Sequence, residues 1–159
     1  MAEVVYNSLQ HLRADDVRAM ATYLRSLPDR APKEMTSSAR QSEESRVVAN
    51  ARGARGYAEH CAGCHGKNGE GRLPAAHALA GNRAVTLQSN VNAVRIVLQG
   101  GYAPGTAGNP QPYGMPPFGG TLSDEQIADI LSYIRAAWGN DAPAVLSYEV
   151  TRQRGSVLW

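Results

Sequence analysis

Cys61-Ala62-Gly63-Cys64-His65 constrains this chain more than any other stretch. Two thiols three positions apart sit on one side of a helical turn. Both can add to vinyl groups on one edge of a single porphyrin, and the His that follows can turn its imidazole to the iron. The pattern C-x-x-C-H is the attachment signature of a c-type haem. A structural zinc site needs two further Cys or His ligands at paired spacing. Neither a second C-x-x-C nor an H-x-x-x-H occurs. A thioredoxin-type dithiol needs a βαβ setting, which the flanks do not offer. Cys61 and Cys64 are the only 2 cysteines, so no disulfide framework exists. A small domain then needs another staple, and a buried haem held by two thioethers and one His supplies it.

At 159 residues the chain has room for one ordinary domain, or for a small one with extensions. A formal net charge of +2 is too weak to argue for nucleic acid or an anionic membrane as a partner. No apolar run approaches the roughly 18 residues that mark a transmembrane helix. The N-terminal stretch to Arg30 lacks the continuous apolar core of a secretion signal. Because c-type haem is attached outside the cytoplasm, the chain is expected to be a mature segment or a piece of a longer protein.

Residues 1–28 read as a helix. Leu12, Val17, Met20, Tyr23, Leu24 and Leu27 mark one face, with Met20 expected in a core. Asp15 and Asp16 suit the first turn, and Pro28 stops the helix. Residues 29–46 read as an extended or loosely packed linker with little to bury. A second helix is expected from about Ala49 to His60. Gly53 and Gly56 inside it cost about 1 kcal/mol each relative to Ala, so close approach of another helix is the reading that accounts for them. Gly66, Gly69 and Gly71 let the chain turn tightly under a flat ligand. A short helix is predicted over Val91–Leu98. Residues 99–120, with 7 Gly and 5 Pro, read as neither helix nor regular strand. The last helix runs from about Ser123 to Trp138. Ser123 caps it with Gln126 at the capping-box position, and Ile127, Ile130, Leu131, Ile134 and Trp138 form its buried stripe, with Tyr133 beside them. Residues 141–159 are expected to be a tail wrapped on the surface, its apolar end (Val157, Leu158, Trp159) docked on the domain or a partner.

An offset of 110 places Leu12 on Leu122. Val17 then falls on Ile127, Met20 on Ile130, Tyr23 on Tyr133, Leu24 on Ile134 and Arg25 on Arg135. The first and last helices read as versions of one element. Residues 1–28 are thus expected to be the end of a preceding unit and 47–140 a complete one.

Iron held by His65 has one axial position left. A Met thioether there raises the potential and closes the site, whereas an open position suits gas binding or peroxide chemistry. Among the 4 Met, Met115 stands out, in Tyr113-Gly114-Met115-Pro116-Pro117-Phe118, where flanking prolines stiffen the backbone. His77 is the main alternative, giving a lower-potential bis-His haem. His60 and His11 compete less well.

Gly53-x-x-x-Tyr57, Cys61-x-x-Cys64-His65-Gly66, Pro74, Leu79-Ala80-Gly81-Asn82, Gly114-Met115-Pro116-x-Phe118 and Leu122-Ser123-Asp124-Glu125, with Tyr133-Ile134-Arg135 and Trp138-Gly139-Asn140, together resemble a class I cytochrome c domain over residues 47–140. The chain is most similar to the C-terminal haem domain of the triple-haem cytochrome c subunits of bacterial membrane-bound alcohol and gluconate dehydrogenases. In those subunits a segment similar to Met1-Ala2-Glu3-Val4-Val5-Tyr6-Asn7 and the helix after it closes the second haem domain, so Met1 stands where that domain's axial Met would be. The chain departs from the resemblance in lacking the other two C-x-x-C-H motifs.

The resemblance implies an all-α fold around one covalently attached haem c, preceded by an extra N-terminal helix, with first and last helices crossing near Gly53 against Tyr57 or Tyr133. It implies a periplasmic electron carrier, not an enzyme, with His65 and Met115 on the iron and Pro74, Leu79, Val94, Leu98 and Phe118 around the ring. Arg83 or Arg95 is a candidate for a haem propionate. Expected partners are a dehydrogenase subunit, other haem domains or quinone, in a complex at the outer face of the inner membrane. The rival readings are a haem-based gas sensor or haem enzyme with an open or displaceable sixth ligand, and a structural remnant whose N-terminal helix merely packs against its neighbour.

Overall fold

A computed structural model describes residues 2–28, 43–72 and 76–155, with only the backbone of 43–49. Met1, Met35, Pro74, residues 29–42 and Val157–Trp159 lie outside the described residues. The fold is helical, as expected. In chain order the elements are α1 (Ala2–Asn7), a 3₁₀ turn (Leu9–His11), α2 (Ala14–Ser26), α3 (Glu43–His60), α4 (Ala62–His65), α5 (Arg83–Thr86), α6 (Val91–Gln99), α7 (Asp124–Ala136) and α8 (Ser147–Arg154). Two residues each of β1 (Gly101–Tyr102) and β2 (Gly114–Met115) pair as a short ladder, a piece of regular strand not expected in so Gly- and Pro-rich a stretch. Among the described residues no helix is long and apolar enough to cross a membrane.

The chain forms two compact units, one from the described parts of 1–38 with 102–112, the other from those of 39–101 with 113–159. In the first, the expected single helix is broken into α1, the 3₁₀ turn and α2. Gln10 Oε1 accepts from the Ala107 N–H at 3.2 Å. Helix α2 buries none of its residues. Met20, expected in a core, is 49% exposed; what α2 presents is an amphipathic face without a cover among the described residues.

The second unit is built on the crossing of α3 and α7. Only glycine permits it. A Cβ on Gly53 would fall on the carbonyl oxygen of Asp129 and within 2.8 Å of the Tyr133 Cβ, and one on Gly56 would lie 2.7 Å from Ile130 Cγ1. Arg52 adds a bond to Asp129 at 2.6 Å beside the crossing. Helix α3 starts at Glu43, not near Ala49, so it takes in residues 43–46 of the expected linker. Residues 43–52 contain no Gly or Pro to stop a helix; they simply lack an apolar stripe to announce one.

Helix α7 begins with the expected capping box: the Gln126 N–H donates to Ser123 Oγ at 3.2 Å and the Ser123 N–H to Gln126 Oε1 at 2.9 Å. Its residues Ile127, Ile130, Leu131 and Ile134 meet Val94, Val97 and Leu98 of α6, Tyr57 of α3, Leu122, Val145 and Val150 in one core. The tail is not a loose wrap. It forms α8, whose Val150 is fully buried.

The crossing predicts a graded response. Gly53→Ala, which meets rigid backbone, should cost about 3 kcal/mol, near the upper range for overpacking. Gly56→Ala, which meets the tip of Ile130, should cost about 1 kcal/mol. Denaturant titration of the haem-loaded chain checks the order; equal costs would place the close approach elsewhere.

Candidate haem site

The site starts where α3 bends. Beyond His60 one more turn follows as α4, with the Cys64 and His65 N–H groups donating to the Cys61 carbonyl at 3.2 and 2.9 Å. That turn carries both thiols and the imidazole. Neither cysteine is in a disulfide. Burial, with Cys64 adding to it, pushes the Cys61 thiol up to about 11. At neutral pH it is an uncharged sulfur among apolar neighbours, as a thioether also is.

Three glycines then reverse the chain. Gly66, Gly69 and Gly71 all have positive φ. At Gly69 both the backbone and space forbid a side chain, since a Cβ would come within 2.5 Å of the Trp138 ring. The loop folds back under its own hydrogen bonds: Gly71 N–H to the His65 carbonyl at 2.7 Å and Leu79 N–H to the Gly69 carbonyl at 2.7 Å. Returning, it brings the His77 carbonyl to 3.0 Å from His65 Nδ1. A carbonyl only accepts, so Nδ1 carries the proton and Nε2 keeps the free lone pair. An outer hydrogen bond of this kind is what orients an imidazole whose other nitrogen is to bind a metal. His77 thus contributes its backbone, while its side chain is exposed.

Aromatic packing holds the loop from behind. Tyr57 lies 4.9 Å from Trp138 and 5.7 Å from Tyr133, centroid to centroid. Its hydroxyl, pushed up to about 12 chiefly by burial, donates to the Gly66 carbonyl at 2.6 Å. Helix α7 ends at Ala136, with Ala137 already extended, and Trp138, at φ 56 in the left-handed region, lays its ring against Gly69.

Cys61, Leu79, Met115 and Phe118 are half-buried against the core cluster that contains Val94 and Leu98. These expected lining residues therefore share one core, and Pro74 falls outside the described residues. His60 meets the edge of Phe118 at 6.1 Å, His11 is exposed in the other unit, and Arg95 donates to Gln153 at 3.0 Å. Among the described residues no three His, Cys, Asp or Glu side chains gather as a metal would require. The donor set suits a flat apolar ring: two free thiols in one turn, an oriented imidazole, and a thioether among apolar side chains.

Two buried polar residues that stand in the motifs of the resemblance had no role assigned from the sequence. Arg135 is 1% exposed. Its guanidinium donates to the carbonyls of Val85 at 2.5 Å, Leu87 at 2.9 Å and Pro143 at 2.7 Å. Burial lowers its pKa and the Glu149 charge opposes that. Asn140 donates to the Leu79 and Ile134 carbonyls at 3.1 and 2.8 Å and accepts from the Gly81 N–H at 2.9 Å. Arg135 was signalled by its recurrence opposite Arg25 in the repeat and by its place in Tyr133-Ile134-Arg135, but neither signal named its partners.

A small helical domain with this turn of thiols and imidazole is built to carry a covalently attached haem. The model of the cytochrome c family matches residues 50–138, and the chain belongs to that family, whose members hold haem c and carry electrons. The chain is 35% identical over 159 aligned positions to the cytochrome c subunit of alcohol dehydrogenase (quinone) from Gluconacetobacter polyoxogenes, covering 97% of this chain and 34% of that one. It is 36% identical to the corresponding Gluconobacter oxydans subunit, over 92% of this chain and 31% of that one. It is 35% identical to the gluconate 2-dehydrogenase cytochrome c subunit of Pantoea cypripedii, over 92% and 34%. The chain thus spans about a third of the length of these relatives.

Arg135→Met would leave three carbonyls without their donor while removing a buried charge, for a net loss of about 3 kcal/mol. Thermal unfolding of the haem-loaded chain measures this. A loss below about 1 kcal/mol would mean that water replaces the guanidinium.

Proposed function

We propose that this chain is a monohaem electron carrier, with haem c joined through Cys61 and Cys64 and iron held by His65 Nε2 and Met115 Sδ. The observation that carries the reading is the 3.0 Å bond between His65 Nδ1 and the His77 carbonyl, which leaves Nε2 as the lone-pair nitrogen in the same turn as both free thiols. Bound there, the haem supplies a one-electron ferric/ferrous couple. The chain's own work is to keep the ligands still and the surroundings dry. Tyr57, through Gly66, and the His77 carbonyl fix the imidazole. Leu79, Val94, Leu98 and Phe118 exclude water and so disfavour added positive charge. Met115 stands on β2, where its carbonyl presses so close to Gly100 that a Cβ there would lie 2.5 Å away.

The names of the relatives suggest the setting. We place the chain in a dehydrogenase complex on the periplasmic face of the inner membrane, taking electrons from a dehydrogenase subunit and passing them to another haem domain or quinone. We also take residues 1–28 as the end of a preceding cytochrome c domain. Burial supports this. Val17, Met20 and Leu24 are 46%, 49% and 64% exposed, whereas their counterparts in the repeat, Ile127, Ile130 and Ile134, are 0%, 3% and 5% exposed. Among the described residues, helix α2 carries the stripe of α7 without a helix that covers it.

The axial assignment is tested at Met115. Wild-type ferrous protein should not bind carbon monoxide, and Met115→Ala should bind it readily, with one haem per chain and a midpoint potential lower by at least about 100 mV, in line with the potential-raising effect of a Met ligand. Carbon monoxide binding by the wild type would instead support a sensor or enzyme with a displaceable ligand.

A further inference from the structure

We propose that Arg154, at the end of α8, is a positioning residue that braces the Met115 loop so that the thioether stays on the iron. The inference rests on the axial-ligand reading above. The family match stops at residue 138, so α8 lies beyond the stretch that the family model covers. It is nevertheless stitched in. The Val145 N–H donates to Ser132 Oγ of α7 at 2.9 Å, Arg95 of α6 donates to Gln153 at 3.0 Å, and Val150 is fully buried in the core.

At the last turn of α8 the Arg154 guanidinium meets three acceptors in different directions. It donates to the Leu122 carbonyl at 2.8 Å, to the Gly119 carbonyl and to the Asp124 carboxylate. Thr151 Oγ1 donates to the same carboxylate at 2.5 Å. Gly119 and Leu122 close the segment that opens at Met115. From the other side, α6 holds the same segment: the Phe118 and Gly119 N–H groups donate to the Val97 and Leu98 carbonyls at 2.9 and 3.0 Å. The residues between Met115 and Leu122 are therefore suspended between the end of α6 and the end of α8. Arg suits the second anchor because its planar fork presents several donors at once, which the single ammonium of Lys cannot do.

A loosened anchor raises the fraction of molecules in which Met115 is off the iron, and an external ligand then binds more tightly in proportion to that fraction. The experiment is an imidazole titration of the ferric, haem-loaded full chain, read by loss of the weak thioether-to-ferric-iron absorption band. Arg154→Met should bind imidazole about tenfold more tightly than wild type, the equivalent of losing a charge-assisted hydrogen bond. Arg154→Lys should gain about threefold. Should Arg154→Met fail to load haem, the Lys variant carries the same test. Arg52→Met, which removes the ion pair to Asp129 beside the α3–α7 crossing, is the control and should leave the imidazole affinity unchanged. A wild-type band with Arg154 variants within about twofold of wild type, or a control that gains as much as they do, overturns the brace. A wild-type protein without the band overturns the axial-ligand reading, and the brace with it.

Discussion

At Gly53 the missing side chain lets α3 lie directly against the α7 backbone, where a Cβ would fall on the Asp129 carbonyl. The arrangement of the second unit depends on this contact. It sets the height of Tyr57 against Tyr133 and Trp138. Tyr57 in turn holds the Gly66 carbonyl, and Gly66 begins the loop that returns the His77 carbonyl to His65. A packing constraint one turn before Tyr57 is thereby converted into the orientation of an imidazole. The two glycines weaken α3 in isolation, and the close approach they permit offsets that cost.

Helix α7 serves the site from its other faces as well. Its apolar stripe forms the core beneath Leu79, Met115 and Phe118. Its one buried charge, Arg135, ties α7 to Val85 and Leu87 around α5 and to Pro143. Arg154 does comparable work at the opposite end of the domain, on the loop that carries Met115. Both arginines satisfy backbone carbonyls in loops or at the end of a short helix, where regular pairing leaves the oxygen without a partner.

Much of this was legible in the sequence because it rests on local rules. The thiol pair and imidazole are adjacent in the chain, the Ser123 cap and Gln126 are three residues apart, and the glycines at 53 and 56 conflict with helix propensity strongly enough to demand a reason. What was hidden depends on contacts distant in sequence. Arg135 has no assignable partner in the sequence until Val85, Leu87 and Pro143 are brought to it. The helix within the tail is not announced because α8 has only Val150 to bury. The start of α3 at Glu43 has no apolar stripe to mark it. Met20 looks like core because its periodicity is that of α7, and its exposure shows that periodicity specifies a face, not the partner that covers it.

We propose that iron in this chain is held by one imidazole nitrogen and one thioether sulfur. X-ray absorption at the iron edge of the haem-loaded chain tests it most directly. The account predicts one sulfur in the iron's first shell together with nitrogen, and loss of that sulfur in Met115→Ala. A first shell of nitrogen alone in the wild type, as a second histidine would give, would contradict it.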